Sequence, residues 1–117
     1  MSSVRAAAIV LDVCDLQRAA AFWAGLLQPQ ARPTPHGGWI DVARLGEGGP
    51  VLTLQLVDSV KHGRNRVHLD LTVLDFPTAR ERALALGARE VSGVQQPARP
   101  WQVLADPDGN EFCLTTA

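Results

Sequence analysis

The chain has 117 residues, of which 46% are hydrophobic and 20% charged, and its formal net charge is −1 at pH 7. These proportions are typical of a globular protein and exclude an intrinsically disordered chain. With 11 basic against 12 acidic side chains, the charge balance gives no support to nucleic acid or an anionic membrane as a partner.

The cysteines and the N-terminal segment indicate the compartment. Cys14 and Cys113 lie far apart without C-x-x-C spacing, so neither a disulfide framework nor a structural zinc knuckle is expected. The apolar run after Arg5 soon reaches Asp12 and Asp15, which makes it too short and too interrupted for a signal peptide or a membrane span. We therefore expect a soluble, cytoplasmic protein.

The first half of the chain predicts a strand, a helix and two more strands. Residues 7–13 are apolar and partly β-branched, and Asp15 follows as a helix cap. The helix is predicted from apolar residues at helical spacing, namely Leu16, Ala19, Trp23 and Leu26. Strands are predicted at 38–45 and 51–57, with a turn at 47–50 between them.

The second half predicts the same order. A strand at 67–73 is followed by the cap Asp75, and Pro77 fits the first helical turn, where its missing N–H costs nothing. The helix repeats apolar residues at Phe76, Ala79, Ala83 and Leu86, and Gly87 is expected to end it. Strands are predicted at 88–91, 101–105 and 111–115, with a turn at 106–110 before the last of them.

The two halves are an internal repeat. Asp15 placed over Asp75, an offset of 60 residues, superposes RAAAIVLDVCDLQRAAAFWAGLL on NRVHLDLTVLDFPTARERALALG. A sheet covered by one helix, formed twice, predicts an α+β architecture with modules at 1–60 and 61–117 of a single 1–117 domain.

The predicted strands alternate between apolar and polar residues. Between residues 67 and 73 the apolar side chains share one face, while His68, Asp70 and Thr72 share the other. The strand at 111–115 sets Phe112 and Leu114 against polar neighbours in the same way. The strand at 51–57 does so less regularly, with the apolar face formed by Leu52, Leu54 and Leu56. The face away from the helix is therefore expected to be polar, and to line a cavity if the sheets curl.

The repeat, the RAAAFW helix start, the RVHLDL strand and the ending W-x-V-L-x-D-P-D-G-N-E-F-C together resemble the vicinal-oxygen-chelate superfamily, in its glyoxalase-like and bleomycin-resistance-like branch. The resemblance covers essentially the whole chain, and its D-P-D-G-N-E-F passage is the most specific part. It implies two βαβββ modules whose curved mixed sheets cup a shared cavity, commonly completed in a homodimer.

The resemblance also implies where a metal would bind. Carried over by position, the first-strand ligands fall on Ala8 and His68, and the last-strand ligands near Gln55 and on Cys113, where active metalloenzymes of the superfamily typically have Glu. Alanine cannot coordinate a metal, and glutamine is a poor ligand. We therefore expect no metal and no other cofactor, although His68 and Cys113 are zinc ligands by type.

Each candidate residue has a structural alternative. His68 and Asp70 are expected to form a polar pocket wall in which either could act as a general base on a bound carbonyl compound, with His68 as the candidate catalytic residue. A lone histidine on a strand is, however, often a hydrogen-bonding pocket or core residue. Cys113 is most simply a small buried apolar residue. Trp39 and Trp101 occupy similar places in the two halves and either flank an aromatic ligand or pack in the core or a dimer seam.

Three functional hypotheses follow from these observations. The first is a bleomycin-resistance-like protein that binds a small molecule, with an aromatic one suggested by the tryptophans, in the sheet cavity without a metal; its expected ligand contacts are Trp39, Gln55, His68, Asp70, Trp101 and Cys113. The second is a lyase, isomerase or dioxygenase-like enzyme that uses His68 as a base or metal ligand. The third is an accessory module whose cavity serves assembly only. A homodimer is expected because small modules leave sheet edges exposed, and fold membership does not choose among the three functions.

Overall fold

The structure, a computed structural model, describes residues 4–117. These residues form two compact units, one ending at Ser59 and the other beginning at Val60. The elements of the first unit, in chain order, are β1 (Ala8–Val13), α1 (Leu16–Leu26), β2 (Ala31–Pro35), β3 (Trp39–Arg44) and β4 (Val51–Leu56). Its sheet has four strands in the order β1-β4-β3-β2.

The second unit repeats this arrangement. Its elements are β5 (Leu69–Val73), α2 (Phe76–Ala85), β6 (Arg89–Glu90), β7 (Trp101–Ala105) and β8 (Glu111–Thr116). Its sheet also has four strands, in the order β5-β8-β7-β6. In each unit the first and last strands are parallel and the remaining neighbours antiparallel, so each is a βαβββ module with a mixed sheet. The predicted α+β class is confirmed.

Both helices begin as their sequences predict, and the second also ends as predicted. The Asp15 carboxylate accepts a hydrogen bond from the Arg18 N–H at 3.0 Å, and the Asp75 carboxylate accepts one from the Thr78 N–H at 3.2 Å. Pro77 lies in the first turn of α2. Gly87 follows the end of α2 with a φ of +114°, a conformation that L residues rarely adopt, which explains why glycine stands there.

The core of the first module lies between α1 and one face of the sheet. Phe22 and Trp23 of α1 are buried, with their rings edge to face at a centroid distance of 5.2 Å. Leu52 and Leu54 of β4 are also fully buried. The second module buries Phe76 of α2 against its sheet, where the fully buried residues include Leu104, Phe112 and Leu114.

Three details of the predicted strands are wrong or incomplete. Strand β5 begins at Leu69 rather than at residue 67, and Val67 is 78% exposed instead of belonging to the core. Leu56, expected beside Leu52 and Leu54, is 49% exposed because it is the last residue of β4. Strand β2 was not predicted, since Pro33 and Pro35 within it lack the N–H groups that a strand ladder uses.

A buried polar cluster anchors the loop between β6 and β7. The Gln102 side chain is completely buried; it accepts a hydrogen bond from Arg80 Nε at 2.9 Å and donates to Glu90 Oε2 at 2.6 Å and to the Ser92 carbonyl at 2.8 Å. Arg80 also pairs with Glu90 at 2.8 Å. The hydrogen bond from Arg80, followed by that from Gln102, lowers the pKa of Glu90. A buried amide with both ends satisfied fixes α2, β6 and the start of this loop together.

Candidate functional site

The candidate site is the open face of each sheet, defined here as the face opposite the helix. In the first module two cross-strand rows of residues lie on this face, because paired residues on neighbouring strands share a face. The first row is Val10, Thr53 and Asp41, and the second is Asp12, Gln55 and Trp39.

The open face of the second module has the same two rows. The first is Asp70, Cys113 and Val103, and the second is Thr72, Thr115 and Trp101. The register therefore makes Trp39 and Trp101 equivalent, in agreement with their similar places in the sequence. It also makes Thr53 the counterpart of Cys113. Gln55, near which the family resemblance placed a ligand position, corresponds to Thr115.

His68 and Asp70 form a close pair at the start of β5. Nδ1 of His68 lies 3.2 Å from Oδ1 of Asp70, and both side chains are at least half exposed. A pair this exposed adds little to stability. It does hold the imidazole so that Nδ1 faces the carboxylate, which leaves Nε2 as the nitrogen available to a bound molecule.

Cys113 lies beside Asp70 in the register but is buried. As part of the central strand β8 it is flanked by Asp70 on β5 and Val103 on β7. Burial raises the pKa of the Cys113 thiol, and the negative charge of Asp70 raises it further. Both effects favour the neutral thiol, which is a weaker nucleophile than the thiolate. Its expected role as a small buried residue agrees with this environment.

The first module contains a polar group that the sequence did not reveal. Nε2 of His36 lies 3.2 Å from Oδ2 of Asp41, and Oδ1 of Asp41 accepts a hydrogen bond of 2.8 Å from the Thr53 hydroxyl. The His36 ring also stacks on Trp39, with centroids 5.7 Å apart. The hydrogen bond between the His36 N–H and the Trp39 carbonyl closes the β2–β3 connection and brings the two rings together. This group could not be predicted because strand β2 was not predicted. Without β2, nothing in the sequence places His36 beside Asp41 and Trp39.

The two equivalent tryptophans are exposed. Trp39 retains 48% of its accessible surface and Trp101 retains 37%, whereas Trp23 of α1 is buried. Neither is therefore a core residue, which removes one of the structural alternatives for them. Two large indoles at matching positions of the two sheets remain available for a ligand or for another protein chain.

The D-P-D-G-N passage is a structural turn, as the sequence predicts. The Asp106 carboxylate is buried and accepts hydrogen bonds from the Asp108 N–H at 2.9 Å and the Asn110 N–H at 2.8 Å. Gly109 has a φ of +87°, which only glycine adopts without strain. The Asp106 carboxylate is thus engaged by the backbone rather than directed to a ligand.

The residues present do not make up a catalytic metal site of the kind found in metal-dependent members of the superfamily. Such a site needs about three protein ligands and an open position. Between residues 4 and 117 no three His, Cys, Asp or Glu side chains lie close enough to hold an ion. Ala8 has no donor atom in its side chain, and the Cys113 side chain is buried. Within the described part of each module, taken by itself, there is one imidazole–carboxylate pair, which is one ligand fewer than such a site needs.

Solved structures share this fold. A glyoxalase-related enzyme from Fulvimarina pelagi is 21% identical, with 97% of this chain and 88% of that chain covered and a TM-score of 0.76. A glyoxalase/bleomycin resistance protein/dioxygenase family enzyme from Burkholderia phytofirmans PsJN is 14% identical over 97% and 98% of the two chains, with a TM-score of 0.79. The fosfomycin resistance protein FosX from Mesorhizobium loti is 18% identical over 100% and 94%, with a TM-score of 0.76.

Identities this low establish the fold and leave the activity open. No curated protein sequence matches the chain significantly. Neither helix within residues 4–117 has the length and apolar character needed to cross a membrane. The sequence profile of the glyoxalase-like domain matches residues 8–115, nearly the full length. The chain therefore belongs to the glyoxalase-like domain family, within the glyoxalase, bleomycin resistance and dioxygenase superfamily that its sequence resembles.

Proposed function

We propose that this protein binds a small aromatic molecule on the open face of its sheets without the help of a metal ion. The observation that carries the proposal is the pair of exposed indoles, Trp39 and Trp101, at equivalent register positions of the two modules. An exposed indole leaves a large apolar surface in water, which a bound molecule can cover. Small-molecule sites are typically lined by aromatic side chains together with a few polar groups.

The polar groups needed to orient a ligand lie on the same faces. Gln55 pairs with Trp39 across β3 and β4, and Thr115 pairs with Trp101 across β7 and β8. Asp70 lies one row away from Thr115, beside Cys113. Stacking on the indole together with a hydrogen bond to the neighbouring amide or hydroxyl is the interaction that we assign to these positions.

Several similar structures are named as resistance proteins, and that description belongs to those proteins. They include a glyoxalase/bleomycin resistance protein from Albidiferax ferrireducens T118 and the fosfomycin resistance protein FosX from Listeria monocytogenes. Since the donor set of this chain does not fit a catalytic metal, binding without metal chemistry is the function that we favour for it.

The proposal is tested by screening aromatic fragments with saturation-transfer NMR and measuring the affinities of any that bind. We expect Trp39→Ala or Trp101→Ala to weaken binding, because stacking on the indole is lost. Val60→Ala is the matched control, since Val60 is also an exposed apolar residue. Fragments that bind all three variants as tightly as the parent protein would show that the tryptophans are not the site.

An enzymatic function is the second candidate, and the His68–Asp70 pair specifically favours it. With Nδ1 held 3.2 Å from Asp70, Nε2 of His68 is oriented as a general base for a proton next to a carbonyl group. The assay is deuterium exchange of such protons in a panel of small hydroxyketones, followed by NMR. His68→Gln is expected to abolish the exchange and Asp70→Asn to slow it; equal rates in all three proteins would rule out His68 as the base.

A homodimer in the cytoplasm completes the proposed function. Val10, on the open face of β1, is 48% exposed, and apolar residues of this kind are often covered by a second subunit. Light scattering after size-exclusion chromatography gives the mass directly. A mass of about 12.6 kDa, that of one chain, at micromolar concentration would contradict the dimer.

A further inference from the structure

A cleft of about 460 Å³ opens beside Trp101 in the second module. Its lining residues are Gln96, Ala98, Arg99, Trp101, Thr115 and Thr116. A volume of this size suits a single substituted ring, since small-molecule sites range from about 300 to 1,000 Å³. The cleft is open to solvent on one side, and it extends the exposed surface of the Trp101 indole into a shallow depression.

The floor of the cleft belongs to the open face. Trp101 and Thr115 are cross-strand partners on β7 and β8, so their side chains lie side by side. The Thr115 hydroxyl has no hydrogen-bond partner among residues 4–117, whereas the Thr116 hydroxyl donates to the Pro100 carbonyl. An indole next to an available hydroxyl offers one stacking surface and one directed hydrogen bond.

The rim of the cleft is a tight turn that presents an arginine. Gln95 and Trp101 exchange backbone hydrogen bonds of 2.9 and 3.2 Å, and the Arg99 N–H donates to the Gln96 carbonyl at 2.9 Å. Gln96 has a φ of +53°, in the left-handed region that non-glycine residues seldom occupy. This hairpin holds Arg99 two residues before Trp101, the first residue of β7.

The Arg99 guanidinium has no ion-pair partner within the part of the chain that the structure describes. Arg80, in the same module, is by contrast bound to Glu90 and Gln102. None of the six lining residues is acidic. The cleft thus has a net positive charge from a planar group that binds carboxylates through two parallel hydrogen bonds.

We infer that this cleft binds an aromatic carboxylate, with the ring against Trp101 and the carboxylate on Arg99 and the Thr115 hydroxyl. The inference rests on the proposed function and names the chemical class of the ligand. Arginine supplies the charge and a fork that fits the carboxylate, and the indole supplies the ring contact. A neutral aromatic compound of the same shape would keep only the second of these interactions.

Asp70 does not oppose an anion at this place. It lies on the same open face, two strands and one row away from Trp101. With the usual strand spacing and rise per residue, the two positions are about 12 Å apart. At that distance the repulsion is largely screened at physiological ionic strength.

The test compares benzoate, benzamide and acetate by ligand-observed NMR titration. Benzamide keeps the ring without the charge, and acetate keeps the charge without the ring. The parent protein is expected to bind benzoate about tenfold more tightly than benzamide, because benzoate gains one charge-assisted contact. It is expected to bind acetate much more weakly than either. Arg99→Gln should remove the preference for benzoate, and Trp101→Ala should weaken benzoate and benzamide alike.

Arg89→Gln is the matched control, because Arg89 lies on the exposed strand β6 of the same module, outside the cleft. It should bind benzoate as the parent protein does. Trp101→Phe keeps an aromatic ring and should retain part of the binding, which guards against a folding defect in Trp101→Ala.

The outcomes separate the two proposals. If benzoate and benzamide bind equally and Arg99→Gln changes neither, the preference for carboxylates is refuted while aromatic binding stands. If benzoate, benzamide and the wider fragment set all fail to bind, both proposals are refuted. If Trp101→Ala instead converts a dimer to a monomer without affecting benzoate, a second copy covers this surface and the inference is wrong.

Discussion

Replacing Asp106 by alanine tests whether the D-P-D-G-N passage serves the fold or a ligand. The Asp106 carboxylate is buried and accepts the Asp108 N–H at 2.9 Å, the Asn110 N–H at 2.8 Å and the Asn110 side-chain amide at 3.3 Å. Truncation to alanine removes these hydrogen bonds without changing the residue types of the turn that follows. The expected result is a loss of stability with ligand binding unchanged in the folded protein.

The magnitude follows from what happens to each donor. The Asn110 N–H is buried, so losing its partner costs about 1–3 kcal/mol. The Asp108 N–H is only partly buried and regains water, which makes its loss smaller. With the lost charge-assisted bonds, the free energy of unfolding should fall by about 3 kcal/mol. Asp106→Asn retains a side-chain acceptor and should lose about 1 kcal/mol.

Urea unfolding followed by far-UV circular dichroism measures these differences. Glu81→Ala on α2 is the control, because Glu81 is exposed and its replacement should change the free energy of unfolding by less than about 0.5 kcal/mol. An Asp106→Ala protein as stable as the parent would refute the structural account. Normal stability combined with lost ligand binding would assign Asp106 to the site instead.

Three further predictions concern thiols, the buried amide and metals. Ellman's reagent should modify exposed Cys14 quickly and buried Cys113 slowly at pH 8. The pKa of Cys113 is raised in the folded state, so the neutral thiol favours the folded protein. This contribution to the free energy of unfolding is complete below the ordinary pKa of a thiol and is lost as the pH rises through the folded-state pKa. Cys113→Ala should remove this pH dependence. Gln102→Ala should lower the free energy of unfolding by about 2–4 kcal/mol in urea titrations, because it leaves buried partners unsatisfied; a loss below 1 kcal/mol would contradict the anchoring role. Chelator-treated protein should show no rise in Tm with Mn, Fe(II), Co, Ni or Zn, and a rise that disappears in His68→Ala would reveal a metal site that the donor set does not suggest.

The fold could be predicted because its signals are local and occur twice. Asp15 and Asp75 cap the helices from positions 60 residues apart, and Gly87 ends the second helix with a positive φ. The turn at Asp106 follows equally from residue type. Each of these features depends on neighbours within a few residues, which is the range over which a single sequence is informative.

The candidate site was predicted only in part because it depends on register. A bulge in β3 between Asp41 and Ala43 shifts the pairing with β4, so the row containing Thr53 cannot be read from alternation alone. The His36–Asp41 pair needs strand β2, whose prolines conceal it. Trp39 was singled out from the sequence, but its stacking partner His36 was not.

The buried Gln102 cluster has a consequence for how this protein could acquire new ligands. Gln102 and the Ser92 hydroxyl fasten the base of the loop before β7, through the Ser92 carbonyl and the Val103 N–H, while the tip from Gln96 to Arg99 is stabilised by its own turn. Residues at the tip can therefore be exchanged without disturbing the core. Substituting Ala98 and Arg99 while keeping Gln102 should therefore change the preference of the cleft from anionic to neutral or cationic compounds.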